Sequence, residues 1–468
     1  MRKLTTAIVA VLAICMITCT DTTKKSDTKS APTGAAKRRY LVFLNDSYVQ
    51  PVITRNLGVL DDITLEKTRL EINKTIEGFM AEKGVTPDSL RTYVDVVVAF
   101  ATKMTEEEAL LVAADNIRVQ SVQSNLTIEG RPIQQGRPIQ QGAAIEVDMA
   151  NPGNALQEWG LDPNTNRTIW TSCAVTKAGG KATPSTARRI WILDTGIATG
   201  RPETNPFLNI QLGLAKNCTT SDAGAFEDDN GHGTMVAGVA AAKEIAWNNT
   251  TTIIAGVSPN APVVPVKVLN AAGDGDWEWV TAGLTHVSNN CNQGDVVNLS
   301  LGEFLKRNDD CTAMFPGVKT AIENLIRSKG VFVVIASGND GRRVRRSAPA
   351  CIRFAQDVRS KVVVVGAAEC DRQCALFSNF GKKVNYVAVG MNVFTTYLKA
   401  NTGWQFFVGS GTSLSAGVVS GIIQSSGVRP LTGPQVFCRP SDNNPDEPDP
   451  DPSSNGAYPY AMWRLQAQ

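Results

Sequence analysis

Five short apolar runs constrain this chain more than any other feature: Arg189–Leu193, Val263–Val268, Val296–Leu301, Val331–Ala336 and Lys361–Ala367. Each is rich in Val, Ile or Ala, and helical patterns separate them. Strands that read as near-continuous apolar runs are covered on both faces, which is the condition of a parallel sheet sandwiched between helices. From about Leu156 to Val436 the expected fold is therefore α/β, a doubly wound, mostly parallel sheet.

A different texture precedes it. Tyr40–Leu44 reads as a strand and Leu65–Glu82 as a helix; Thr92–Thr102 is a second, β-branched strand. Thr105-Glu106-Glu107-Glu108 supplies an N-cap and an acidic first turn for another helix. A strand near Ile117–Val122 closes a small α+β unit containing neither His nor Cys. Residues 130–142 read GRPIQQGRPIQQG, a tandem repeat that cannot bury apolar area and is expected as a linker. The N-terminus has a basic start, an apolar stretch from Leu4 to Thr18 and a polar exit, the parts of a secretory signal. That stretch falls short of the roughly 20 apolar residues that span a bilayer. The expected divisions are a signal peptide (1–20), a polar linker (21–39), the small unit (40–129), the repeat linker (130–150), the large domain (151–437) and a disordered acidic Pro/Asp-rich tail (438–468).

Composition removes several classes of function. With 46 Lys+Arg against 44 Asp+Glu, the net charge of +2 lacks the basic excess of a nucleic-acid binder. The two histidines, His232 and His286, exclude an HExxH motif and any multi-histidine metal site. Eight cysteines follow the signal region, and in an oxidising compartment disulfides are the default. Cys370 and Cys374, spaced CxxxC with no Cys/His cluster beside them, read as disulfide-forming rather than zinc-binding. Cys19 sits where a lipid-acceptor cysteine would, but Met16-Ile17-Thr18 fits that pattern poorly, so secretion is expected and lipid anchoring is the minor alternative.

Four segments carry candidate chemistry. Asp194, in Ile192–Gly196, ends a buried strand, where open α/β sheets place ligands. His232 lies between Gly231 and Gly233 at a helix start, glycines that let backbone approach the imidazole. Ser413, in Gly409–Gly417, stands on a glycine-rich turn entering a helix, close to its positive end. Asn339, in Ala336–Gly341, follows a strand and can donate to a developing oxyanion, although Asn in such a loop is also a common turn former.

Together these segments resemble the subtilisin-like serine protease family. The order Asp, His, Ser matches, as do the contexts DTGI, GHGTMVAG and GTSLSAG. Val296–Gly302 resembles the strand lining the primary specificity pocket, ASGN the oxyanion-hole segment, and Val266–Asn270 with the GDGDW loop a substrate-flanking strand. The resemblance covers roughly Trp159–Phe437, and the Tyr40–Ile128 unit resembles the family's inhibitory propeptide, of ferredoxin-like α+β fold. Departures are Leu414-Ser415-Ala416-Gly417 where the family has Met-Ala-x-Pro, Ala388-Val389-Gly390 for Ala-Pro-Gly, and Glu303 where Gly is common.

The resemblance implies a secreted endopeptidase made as a propeptide-inhibited precursor. Asp194, His232 and Ser413 would form the triad, with Asn339 in the oxyanion hole. Ser300, Leu301, Gly302, Ala336, Ser337 and Gly338 would bind substrate. His286 is expected to be structural, because the triad is complete without it. No cofactor is needed for the chemistry. Structural calcium occurs in the family, but no ligand pattern fixes a site here. Expected partners are protein or peptide substrates and the chain's own propeptide, on a monomer that binds no nucleic acid. The acids Asp274, Asp276, Glu278 and Glu303 would favour basic side chains nearby, and Arg342–Arg346 reads as an exposed loop open to self-cleavage. Rival readings are a catalytically silent protein-binding relative and an ester hydrolase; the latter's G-x-S-x-G elbow and Ser-Asp-His order are unmatched by the catalytic segments.

Overall fold

The computed structural model describes residues 37–45, 47–48, 62–93, 98–124, 127–130, 156–161, 168–199, 208–219, 226–246, 253–306, 309–399, 403–438 and 457–462. The expected signal peptide and most of the repeat linker lie outside these residues.

The small unit consists of β1 (Arg38–Leu44), α1 (Asp62–Glu82), β2 (Arg91–Tyr93), β3 (Ala99–Met104), α2 (Glu106–Ala113) and β4 (Val119–Ser124). The single strand expected over Thr92–Thr102 is two, β2 and β3, which pair antiparallel, so the element order is βαββαβ and the sheet order β2-β3-β1-β4. The predicted start of α2 is a full capping box: Thr105 Oγ1 accepts from Glu108 N at 3.1 Å, and Glu108 Oε2 accepts from Thr105 N at 2.7 Å. Alternation along β1 explains its unbroken apolar run. Tyr40, Val42 and Leu44 pack under this unit's own helices with Ile72, Ile76 and Phe79. Leu41 and Phe43 point the other way, into the core of the large domain.

That domain is built on β6 (Ile190–Asp194), β7 (Pro262–Lys267), β9 (Val296–Leu299), β11 (Phe332–Ala336), β12 (Val362–Ala368) and β13 (Tyr386–Val389), all parallel, in the order β7-β6-β9-β11-β12-β13. Between them run α3 (His232–Ala241), β8 (Asp274–Asp276), α4 (Trp277–Asn290), β10 (Leu301–Phe304) and α5 (Pro316–Lys329), and α6 (Thr412–Ser426) follows β13. The five predicted runs are thus five of these six strands, within a residue or two at most ends. Helices cover both faces. Leu193 of β6 packs towards Gly283 of α4, where a Cβ would meet its Cδ2 at 3.3 Å, while the next residue, Asp194, lies against Gly233 of α3 at 3.1 Å.

One expectation is corrected by this sheet. The C-terminal segment is not all disordered tail: Ala457–Met462 forms β15, which pairs parallel with β13 and antiparallel with β14 (Leu431–Phe437), and Tyr460, Ala461 and Met462 are buried. Its alternating aromatic and small residues fit a strand paired on both sides, whereas the acidic stretch 439–456 lies outside the described residues. The disulfides are Cys173–Cys370, Cys311–Cys351 and Cys374–Cys438. Cys370 and Cys374 are therefore both oxidised but not to each other; Cys370 ties the first helical turn of the domain to its sheet, and Cys374 ties the end of β14. Cys218 and Cys291 remain buried thiols, raised to about 12 and about 11 chiefly by burial.

A buried carboxylate joins β6 to β9. Asp295 accepts from Arg189 N at 2.8 Å, Trp191 Nε1 at 2.8 Å and Asn292 N at 2.9 Å. Removing it leaves the buried Trp191 Nε1 without a partner and loses two part-buried hydrogen bonds. Asp295→Ala is expected to destabilise the domain by about 2–4 kcal/mol, read as a lower urea midpoint.

Candidate active site

Asp194 ends β6, the strand from which the chain leaves to build β7 on one side and β9 on the other, and this switch point leaves a crevice at the strands' carboxyl ends. Its carboxylate is fully buried. Oδ1 accepts from Thr195 N at 2.7 Å and lies 2.6 Å from Nδ1 of His232, the first residue of α3.

The turn that delivers His232 is organised by Asp228, a residue the sequence reading passed over. Its buried carboxylate accepts from Asn230 N (3.1 Å), Gly231 N (2.7 Å), Thr234 N (2.9 Å), Thr234 Oγ1 (2.5 Å) and Thr195 Oγ1 (2.8 Å). An acid four residues ahead of the histidine, on the approach to a helix, was the available signal. The flanking glycines serve packing rather than access to the imidazole, which corrects the expectation. Gly231 has φ +103°, and a Cβ there would lie 2.1 Å from the Tyr397 ring; one on Gly233 would lie 2.1 Å from the Gly196 carbonyl oxygen.

Ser413 is the second residue of α6 and is buried. Its Oγ donates to the Ser300 carbonyl at 3.4 Å, and Ser300 Oγ contacts the Ser413 carbonyl at 3.2 Å. Asn339 lies against the same turn. Its Oδ1 accepts from Thr412 N at 2.9 Å and Thr412 Oγ1 at 2.8 Å, while Gly338 N donates to Thr412 Oγ1 at 3.1 Å. These contacts fix the amide oxygen against the turn that carries Ser413. Ala336 ends β11, and Ser337 Oγ donates to the Asn379 carbonyl at 3.1 Å.

These two clusters meet through α3 and α6. A Cβ on Gly417 would lie 2.9 Å from the Val236 carbonyl, and one on Gly421 would lie 2.7 Å from that of Ala240. The pairs 236/417 and 240/421 set two parallel helices in register, and one turn earlier the same register falls on His232 and Ser413.

Leu301 and Gly302 lie on β10, where β5 (Thr127–Gly130) is paired with them. Gly130 stands opposite Leu301 and Glu129 opposite Gly302, and the other edge of β5 pairs antiparallel with β8. The nearby acids have partners. Glu278 binds Arg39 and Arg91 of the small unit, Asp276 caps α4 by accepting from Trp279 N at 2.9 Å, and Glu303 accepts from Trp277 Nε1 at 2.8 Å. The Arg342–Arg346 run is not a free loop: Val344 and Arg346 are buried, and Arg342 and Arg346 lie over the Phe304 ring. Among the described residues, no group of three or more His, Cys, Asp or Glu is arranged to hold a metal ion.

Residues 187–424, just over half of the chain, match the model of the Subtilase family, Peptidase_S8. The chain belongs to the subtilase family. This subtilase is 32% identical over 262 residues to the major intracellular serine protease of Bacillus subtilis, covering 54% of this chain and 74% of that protein. It is 35% identical over 236 residues to subtilisin Savinase of Lederbergia lenta, covering 50% and 73%. To the minor extracellular protease Epr of Bacillus subtilis it is 32% identical over 268 residues, covering 57% of this chain and 34% of that one. The family assigns it as a serine endopeptidase.

The subtilase's second histidine has a packing role. His286 Nε2 lies 2.8 Å from the Leu214 carbonyl, and its ring stands edge-on to Trp191 at 6.0 Å. Burial, aided by the charge of Lys216, lowers its pKa from 6.5 and outweighs the raising effect of the Leu214 contact. The folded chain thus holds this ring neutral while the unfolded chain takes up a proton below about pH 6.5. Stability contributed by His286 is full above that pH and is lost as pH falls through 6.5 towards the depressed folded value. His286→Gln is expected to shrink the loss in melting temperature between pH 7.5 and 5.5 while retaining proteolysis at pH 8, measured by thermal denaturation and casein hydrolysis.

Proposed function

We propose that this subtilase is an exported endopeptidase, made as a precursor whose N-terminal α+β unit, a ferredoxin-like propeptide, fills its own substrate cleft. The observation that carries the reading is β5. This strand is the middle member between β8 and β10, hydrogen-bonded on both edges as an extended peptide substrate would be. Its Gly130 end pairs with Leu301, next to Ser300, whose carbonyl accepts from Ser413 Oγ.

In the cleared cleft, Ser413 Oγ attacks a peptide carbonyl as His232 takes its proton, and Asp194 orients the imidazole and stabilises its cation. The oxyanion that forms is bound by the Asn339 amide and the Ser413 backbone N–H. As the C–N bond breaks, His232 protonates the leaving amine; water then releases the acyl group by the same route. Ser300, Leu301 and Gly302 hold one edge of the peptide, and Ala336, Ser337 and Gly338 line its other wall.

The unit is held by more than β5. Arg39 and Arg91 both reach Glu278, Gln123 Nε2 donates to the Met314 carbonyl, and Phe43 lies against Gly317, where a Cβ would meet the ring at 2.0 Å. Charge-assisted contacts to one buried carboxylate give the docking its orientation. The extracellular relative and three disulfides support export.

A fluorophosphonate probe is expected to label the processed wild type and leave Ser413→Ala unlabelled, with casein preferred over a short-chain ester. Labelling of neither protein contradicts the enzyme mechanism, and ester preference favours the hydrolase rival. Asn339→Ala should lower kcat by about a hundred- to a thousand-fold with little change in KM. Intact mass of the exported form should show a cut within residues 129–150. A stable exported form that begins upstream of Tyr40 argues against the precursor. Replacing Arg39 and Arg91 together with Ala is expected to shorten the lag between that cut and full activity.

A further inference from the structure

At the far end of α6 from Ser413, a cavity of about 590 Å³ opens beside the first half of β12. The helix has 15 residues, so its two ends are about 22 Å apart, and Arg429 on the cavity wall lies beyond the second. Five basic side chains line this cavity, Arg353, Arg359, Lys382, Lys383 and Arg429, and no carboxylate does.

What holds these cations in place is informative. Lys383 Nζ donates to the Ile352 carbonyl at 2.8 Å, Arg359 Nη2 to the Phe354 carbonyl at 3.2 Å, and Arg429 Nη1 to the Ser360 carbonyl at 3.3 Å. Arg429 also lies over the Tyr386 ring. Neutral carbonyls fix the position of these three groups without cancelling their charge. Arg353 meets a carboxylate, Asp310 at 3.1 Å, which belongs to the neighbouring pocket. Lys383 uses one of its three donors on Ile352, and Arg359 and Arg429 keep most of theirs. Asn385 adds a neutral donor, because its Oδ1 is taken by Val364 N at 2.8 Å. Like charges gathered on a half-enclosed wall repel one another at short range, and an anion removes that cost.

We propose that this cavity binds a tetrahedral oxyanion, phosphate or sulfate, either free or as the monoester of a small molecule. Its volume lies within the roughly 300–1,000 Å³ of small-molecule pockets and leaves room for an organic group behind the oxyanion. Lys383 reports the unbalanced charge: burial first, then Arg353 and Arg359, lowers it to about 8 against the opposing pull of Asp310. The charged groups facing it are Arg353, Arg359, Lys382 and Arg429 in this cavity, with Arg345, Asp309 and Asp310 in the adjoining one.

The test is calorimetric titration of the processed enzyme at fixed ionic strength with sodium sulfate, glucose 6-phosphate and glucose. Saturable sulfate binding is expected, with Kd below about 10 mM, and none for glucose. Glucose 6-phosphate binding more tightly than sulfate identifies an ester ligand; equal binding identifies the free oxyanion. Arg359→Ala with Arg429→Ala should weaken binding about tenfold or more while casein hydrolysis stays unchanged. Should that variant misfold, the wild type still decides: sulfate keeps its charge, so its affinity should fall as pH rises through about 8 and Lys383 loses its proton. No saturable binding, equal binding by the folded double variant, or affinity flat across that pH range overturns the assignment.

Discussion

The site depends on one buried pairing, Asp194 with His232. A carboxylate taken from water and left alone would cost several kcal/mol, so Oδ1 has to be met by donors, and here they are the imidazole at 2.6 Å and Thr195 N at 2.7 Å. Two rigid supports make that geometry permanent. β6 is fixed by parallel neighbours on both sides, and the turn before α3 is fixed by the five hydrogen bonds of Asp228. Thr195 links the two supports, its Oγ1 donating to Asp228 and accepting from Gly233 N. Lys267 adds a third brace, a buried ammonium that donates to the Thr195 carbonyl at 2.6 Å. Orientation of the imidazole is thus a property of the whole strand–turn–helix unit.

Much of this was legible because the sheet is parallel. A strand buried on both faces must be apolar throughout, so Arg189–Leu193 and its four counterparts stand out in the sequence. The candidate chemistry then falls at their ends, where Asn339 also read as an ordinary turn former. Only the pairing of motifs needed the family resemblance; the placing of each motif after a strand or before a helix did not. His286 was set apart from His232 because the expected triad is complete without it.

What stayed hidden involves residues far apart in the chain whose partners carry no local sign. Asp228 looks like any turn acid until the peptide groups around it are counted. Glu278 reads as a first-turn acid of α4, yet its carboxylate meets two arginines from the small unit. Cys370 and Cys374 are close in sequence, but each bonds to a cysteine brought near by the sheet. Ala457–Met462 was hidden by its acidic neighbours, since composition averaged over 30 residues conceals six that are apolar enough to join the sheet. The Arg342–Arg346 run misled for the opposite reason: charge suggested exposure, while the planar guanidinium groups of Arg342 and Arg346 can lie over an aromatic face.

The departure at Gly417 follows from the same packing. The family usually has proline there, one turn from the Ser413 hydroxyl and on the face where α6 meets α3. In this chain that face is a contact of backbone against side chain. A Cβ at 417 would lie 2.6 Å from Val239 Cγ1 and 2.9 Å from the Val236 carbonyl, and no rotamer of Val239 relieves the second contact. Glycine weakens a helix interior by about 1 kcal/mol relative to alanine. Here it permits the close approach that carries the 236/417 and 240/421 register back to His232 and Ser413. The helix loses local stability at a position where a side chain would meet Val236 and Val239 of α3.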